Sequence, residues 1–436
     1  MPHSTAAAST ATFAFRLSHR ASSRFPASHR VLSLLFPCLL AAGCLCNGLP
    51  NRAAAAEPLP LLRLAGEITD PEKIDYSTLP ELETTLSVVS PAEKMAGEVP
   101  EQFDMHHLQF QLHSYLARFN GRFWCIWSYG PPIEDEPTQE VRYATSTDGI
   151  TWSESKPVTG TPEAPYAWIA RSLWIRNGEL LALAAHYRGK GAFGANKELE
   201  LRAFAWNEEQ GTWQPRGKLY DDAINNFPPQ LMESGEWIVT RRDARFNVSI
   251  LVGGKKSLTD WQAFPVVGRL EVKGFIPDEP ILWPLPEGKW SALYRDNSGT
   301  RRLFHSVSSD GGRTWTLPTR TNFPNATSKL FSMQTSSGVR VLVSNANPGL
   351  GRRELHLSLS RDGQTFTRMA KLKVPSPPAV QGLERLKQKF RAEIASLQYP
   401  HVIEHEGQLL IAISRGKKQI EVLRLPLASV DALLAE

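Results

Sequence analysis

Cysteine is nearly absent from the part of this chain that can fold. Three of the four cysteines, Cys38, Cys44 and Cys46, fall in the first 56 residues, and only Cys125 follows. A lone cysteine closes no internal disulfide and builds no cysteine metal site, so stability must come from a hydrophobic core. Roughly 340 residues are enough to supply one. Histidine offers no better metal site. His401 and His405 alone have helical ligand spacing, and His401 lies in a strand pattern, so both read as structural. The sequence calls for no metal and no organic cofactor.

Acidic residues are missing from residues 1–56, which contain Arg16, Arg20, Arg24, Arg30 and Arg52. A membrane-length apolar run is missing as well. Val31–Ala42 is followed by small residues, including Ala53-Ala-Ala-Ala56, and falls short of the ~20 residues that span a bilayer. A basic stretch, a short apolar run and a small-residue region form the pattern of an export signal. We therefore expect residues 1–56 to be a leader and the protein to be periplasmic or extracellular. Leu40-Ala-Ala-Gly43-Cys44 offers a possible lipid anchor at Cys44. The formal charge of +5 comes from 49 basic and 44 acidic side chains, and the five leader arginines account for all of it. A neutral remainder gives no sign of nucleic-acid binding.

What the chain does contain is a repeat. Six glycines, Gly121, Gly178, Gly235, Gly288, Gly338 and Gly407, each sit in a turn before a short apolar run. They are spaced 57, 57, 53, 50 and 69 residues apart. In the fourth copy, Pro280-Ile-Leu-Trp-Pro-Leu and Lys289-Trp-Ser-Ala-Leu-Tyr-Arg flank the turn, which reads as a β-hairpin. Hairpins recurring at ~50 residues mean a β-propeller.

A second ladder keeps the same phase. Ser308-Ser-Asp310-Gly-Gly-Arg-Thr314-Trp315 is a complete Ser-x-Asp-x-Gly-x-Thr-Trp motif. Ser146-Thr-Asp148-Gly-Ile-Thr-Trp152 is one residue short, and Ser360-Arg-Asp362-Gly-Gln-Thr-Phe366 carries Phe for Trp. Gln210–Trp213 and Ser257–Trp261 are degenerate copies. The aspartate can accept turn N–H groups, the glycine takes positive φ, and the aromatic ring packs between sheets. These aspartates are therefore structural.

This motif resembles the Asp box, or BNR repeat, of the sialidase superfamily. The resemblance covers about residues 100–430 and implies an all-β, six-bladed β-propeller built on Asp-box hairpins. We expect the propeller over 101–430 and an irregular, Pro- and Glu-rich segment over 57–100. Pro375–Lys389 should form a partly helical surface insertion.

Seven residues after the six glycines stand Ser128, Ala185, Arg242, Arg295, Asn345 and Ser414. Arg242 and Arg295, on adjacent blades, would converge on the axis and suit an anion. The resemblance assigns further roles. Glu279-Pro-Ile-Leu-Trp followed by Arg295 and a complete box matches the order of a sialidase glutamate and arginine. Arg352 resembles a further anion-binding arginine, and Gln398-Tyr399-Pro resembles the nucleophile segment. Tyr399 would attack the anomeric carbon with Glu279 as its base. Asp135, in Tyr129-Gly-Pro-Pro-Ile-Glu-Asp-Glu136, would protonate the leaving oxygen. Phe110-Gln111-Leu-His113 departs from the family pattern, because Gln111 stands where the first arginine of the triad belongs.

His106, His107, His113 and the His186-Tyr187-Arg188 strand end also hint at a sugar site. Three readings follow. One is an exported glycoside hydrolase acting on an acidic or unusual glycan. Another is a polysaccharide lyase using His186, Tyr187 and Arg242. The third is a non-catalytic propeller that binds carbohydrate or protein.

Overall fold

The computed structural model describes residues 60–93, 108–375 and 395–435. The leader, Cys44, His106, His107 and the expected insertion at 375–389, apart from Pro375 itself, lie outside these residues. Six antiparallel sheets of four strands follow one another along the chain, and the fifth gains one extra strand laid parallel on its edge. This is a six-bladed propeller. The innermost strands are Phe110–Phe119, Tyr166–Arg176, Gln230–Leu231, Pro277–Pro284, Phe331–Gln334 and Leu397–His405, in blades one to six.

The hairpin glycines work as expected. All six have φ between 70° and 82°, and in four blades the preceding residue (Asn120, Asn177, Glu287 or Glu406) is also left-handed. Two consecutive positive-φ residues make a tight turn whose twist matches the flanking strands. Each following strand is buried almost throughout; Leu180–Ala185 and Leu409–Ser414 are examples.

The Asp boxes close the third strands. Asp310 Oδ1 accepts the N–H groups of Arg313 and Thr314 at 3.0 and 2.8 Å, and its Oδ2 accepts the Thr314 hydroxyl at 2.7 Å. Asp148 and Asp362 repeat the pattern. Box glycines also press on the preceding blade. A Cβ on Gly312 would stand 2.5 Å from Ile238, and one on Gly149 would stand 2.9 Å from Leu410. Glycine is needed there for space as much as for φ.

One expectation is corrected. The 57–100 segment is not simply irregular. Thr85–Ser90 pairs with Gln419–Pro426 as the outer strand of blade six, and Glu81–Glu83 lies beside Arg368–Lys373 on blade five. The N-terminal strand thus completes the C-terminal blade and covers the edge of Gln419–Pro426. These strands are too short for period-two patterning to announce them. The helix Leu427–Ala435 seals the same end through Leu427, Val430 and Leu433.

Candidate functional site

The innermost strands do not run straight. The register of blade one slips between Leu112 and Tyr115, that of blade two between Ala170 and Ser172, that of blade four between Asp278 and Ile281, and that of blade six between Gln398 and His401. A β-bulge re-aims a side chain that strict alternation would send elsewhere. The bulged residues are His113, Arg171, Glu279 and Tyr399, and all four line one cavity of about 380 Å³. His113, Glu279 and Tyr399 have φ of 59°, 44° and 58°. Left-handed backbone costs a non-glycine residue ~1–2 kcal/mol. Three such residues facing one pocket mark it as the place where strain serves a purpose.

Ser128 ties two bulges together. Its hydroxyl accepts the Ala170 N–H at 2.9 Å and is hydrogen bonded to His113 Nδ1 at 3.0 Å. The neighbouring walls bring Glu134, Asp135, Arg242, Asp278, Arg295, Arg352 and Lys417, with Phe193 and Phe246 forming an apolar side.

Tyr399, Glu279, Asp135, Arg295, Arg352 and Arg242 therefore meet in a single pocket, although 264 positions separate Asp135 from Tyr399. Gln111 does not join them, which corrects that expectation. It is fully buried, and its amide donates to the Pro91 and Lys418 carbonyls at 2.7 and 3.0 Å. The bulge two residues later turns His113 to the cavity instead. His186 and Tyr187 also fail to enter. Adjacent strand residues face opposite sides. His186 stacks on Tyr166 with centroids 4.9 Å apart, while Tyr187 is buried in the core. The lyase set is not assembled. No tryptophan lines the pocket either, and its aromatic wall is phenylalanine. His401 is core, packed on Phe331 and accepting the Leu116 N–H.

Charge in the pocket is mostly paired. Arg295 Nη1 donates to Glu279 Oε2 at 2.6 Å, Arg242 Nε pairs with Asp278 Oδ1 at 2.8 Å, and Lys417 pairs with Glu134. Arg352 donates to Gln398 Oε1 at 2.5 Å and to the Thr327 carbonyl at 2.8 Å, both neutral acceptors. Beneath the pocket Lys329 is fully buried. It donates to the Tyr115 hydroxyl at 2.6 Å and lies 5.3 Å from the Tyr399 ring centroid.

These surroundings pull the acids apart. Burial, reinforced by Glu134, pushes Asp135 up to about 6 against the opposing pull of Arg171, Lys417 and Arg242. Burial alone would raise Glu279 too, but Arg295 and Lys329 reverse that and hold it well below the usual carboxylate range. Burial and the Glu279 charge raise Tyr399 well above an ordinary phenol. Burial keeps His113 neutral. No hydrogen bond joins Glu279 to Tyr399 among the described residues.

Residues 101–411 match the family model described as a BNR repeat-like domain, and the chain belongs to that family. Among solved structures, a Dyadobacter fermentans protein described as of unknown function aligns with TM-score 0.56 and 15% identity, over 78% of this chain and 99% of that one. A Trypanosoma rangeli sialidase in complex with sialic acid aligns with TM-score 0.56 and 14% identity, over 81% of this chain and 61% of that one. A further structure titled sialidase aligns with TM-score 0.52 and 17% identity, over 80% of this chain and 33% of that one. At these identities the likeness is one of fold. The chain spans less than two thirds of the length of either sialidase. No curated protein sequence matches it.

Several pocket residues escaped the sequence reading, among them Arg171, Asn226, Phe246, Asp278 and Lys417. For Arg171 a signal existed. The bulged residues stand seven to nine positions before the hairpin glycine of their blade, so counting backward from each glycine reaches Arg171, just as counting forward reached Arg242 and Arg295.

Proposed function

We propose that this protein is an exported, sialidase-like glycoside hydrolase acting on an acidic glycan. The convergence of Tyr399, Glu279 and Asp135 from three blades onto one bulge-lined pocket carries the reading. Tyr399 is the nucleophile. Its oxygen attacks the anomeric carbon as Glu279 takes its proton and Asp135 gives one to the departing glycosidic oxygen. Water, deprotonated by Asp135, then displaces Tyr399 from the anomeric carbon as Glu279 returns its proton to the departing phenol oxygen. Asp135 suits this exchange because its proton affinity lies near neutral pH.

While Arg295 is paired with it, Glu279 is too weak a base for Tyr399. A substrate carboxylate that draws Arg295 toward itself releases Glu279 and restores its basicity. Activation is thus coupled to an anionic substrate. The leader composition of residues 1–56 supports export, and among the described residues no helix is long and apolar enough to cross a membrane.

The test is turnover of chromogenic glycosides of acidic sugars, N-acetylneuraminate and D-glucuronate among them, by the native protein and by Tyr399→Phe. Release by the native protein alone supports the reading. Equal release by both, or binding of sugars with no turnover of any acidic glycoside, overturns it. The Glu279–Arg295 ion pair favours one rival, a binding propeller without chemistry, and that last outcome would select it.

A further inference from the structure

One cation in the pocket, Arg171, has neither an ion pair nor a side-chain hydrogen bond among the described residues. It is 4% exposed, and its Nε is buried without a partner. Leaving a buried charge unpaired is expensive, and proteins ordinarily pair or remove such groups. Arg295, Arg242 and Lys417 each have a carboxylate, whereas Arg171 and Arg352 do not. Asp135, the one pocket carboxylate outside those three pairs, feels the Arg171 charge but makes no ion pair with it, and burial raises it to about 6. The pocket lining thus sets five cations against four carboxylates.

The position of Arg171 is fixed, too. It occupies the blade-two bulge whose preceding N–H is held by Ser128, the residue that also holds His113. It lines the same pocket as Asp135 and His113, and its charge acts on both. Beside it in the lining, the Asn226 amide leaves Oδ1 buried and unpartnered.

We propose that Arg171, supplied by blade two, is the main anchor for a substrate carboxylate, in place of the first-blade arginine that Gln111 lacks. A guanidinium presents two parallel N–H groups to a planar carboxylate, which a buried glutamine amide cannot do. With the anchor one blade further round, the carboxylate sits on the Asp135 side of the pocket, and the Asn226 amide is left to hydrogen bond a ring hydroxyl. The substrate class is a sugar bearing a ring carboxylate. This rests on the reading of the pocket as a sugar site.

Calorimetric titration tests it without turnover. The probes are N-acetylneuraminate and D-glucuronate, with N-acetylmannosamine and D-glucose as neutral partners and glucose 6-sulfate as a different anion. The native protein should prefer at least one carboxylated sugar to its neutral partner. Arg171→Gln should weaken that binding at least tenfold and leave neutral-sugar binding unchanged, and Arg171→Lys should fall between. Because the unpaired charge burdens the fold, Arg171→Gln should melt at the same temperature as the native protein or higher.

A lower melting temperature with parallel loss of both kinds of sugar would make Arg171 structural and overturn the proposal. So would equal affinities in native and variant protein, no preference for a carboxylated sugar, or Arg171-dependent binding of the sulfated sugar alone. Arg171-dependent binding without hydrolysis would leave this inference standing and remove the hydrolase reading. Hydrolysis of an acidic glycoside with KM unchanged in Arg171→Gln would do the reverse.

Discussion

The carboxylates at the blade periphery and those at the mouth are the same chemical group put to opposite uses. In the Asp boxes, Asp148, Asp310 and Asp362 accept turn N–H groups, and each is held below its ordinary proton affinity. Such an acid is permanently charged and serves the hairpin. At the mouth, Asp135 has no comparable set of donors, and burial raises it to about 6. Glu279 has a donor, but that donor is a side chain, the guanidinium of Arg295. The backbone of a turn cannot be drawn away by a ligand, whereas a side chain can. The two sets of acids in this fold differ in what solvates them.

The largest effect that would sharpen this contrast is on turnover. Glu279→Gln and Asp135→Asn should each lower hydrolysis of an acidic glycoside by ~10²–10⁴ while leaving the circular dichroism spectrum unchanged. Asp310→Ala should do the opposite. It should cost on the order of 2–3 kcal/mol in chemical denaturation, through lost N–H acceptors, and leave kcat of the folded protein near native. Loss of activity without loss of stability in Asp310→Ala would break the comparison.

Proton linkage gives the two regions opposite signs. The folded proton affinity of Asp135 lies above its unfolded value near 4. Its stabilising contribution is therefore complete below pH ~4 and is lost as pH rises through about 6. For Asp310 and Asp362 the folded value is depressed. Their contribution is present above pH ~4 and is lost as pH falls through their lower folded values. Melting curves of Asp135→Asn and Asp310→Asn against the native protein from pH 3 to 8 should diverge in opposite directions.

A smaller effect is expected from Ser128→Ala. Freeing the Ala170 N–H and His113 together should cost ~1 kcal/mol and reduce kcat/KM a few-fold, because two bulges lose a shared tie.

The propeller was legible because its signals are local. A hairpin glycine needs only its own φ, and an Asp box needs only its own eight residues. Blade assignment, box chemistry and the hydrophobic second strands all followed from such short stretches. The N-terminal strand Thr85–Ser90 was missed because its partner, Gln419–Pro426, lies over 300 residues away and no nearby motif points to it. The mouth was read in part. Residues reached through the family pattern or by counting forward from the glycines, such as Tyr399, Glu279 and Arg242, do line the cavity. Gln111 was misplaced and Arg171 overlooked for one reason. Both depend on where an innermost strand bulges, and a bulge breaks the period-two rule by which strand faces are read.

The difference between the two classes of acid can be measured with no substrate at all. Carbon-13 NMR titration of aspartate carboxyls, with Asp135→Asn to assign the signal, reads Asp135 directly. The account predicts one aspartate that titrates near pH 6 and disappears in the variant, while those of the Asp boxes titrate below the ordinary range. An Asp135 signal titrating at or below pH 4 would contradict it and leave the mouth without its proton donor.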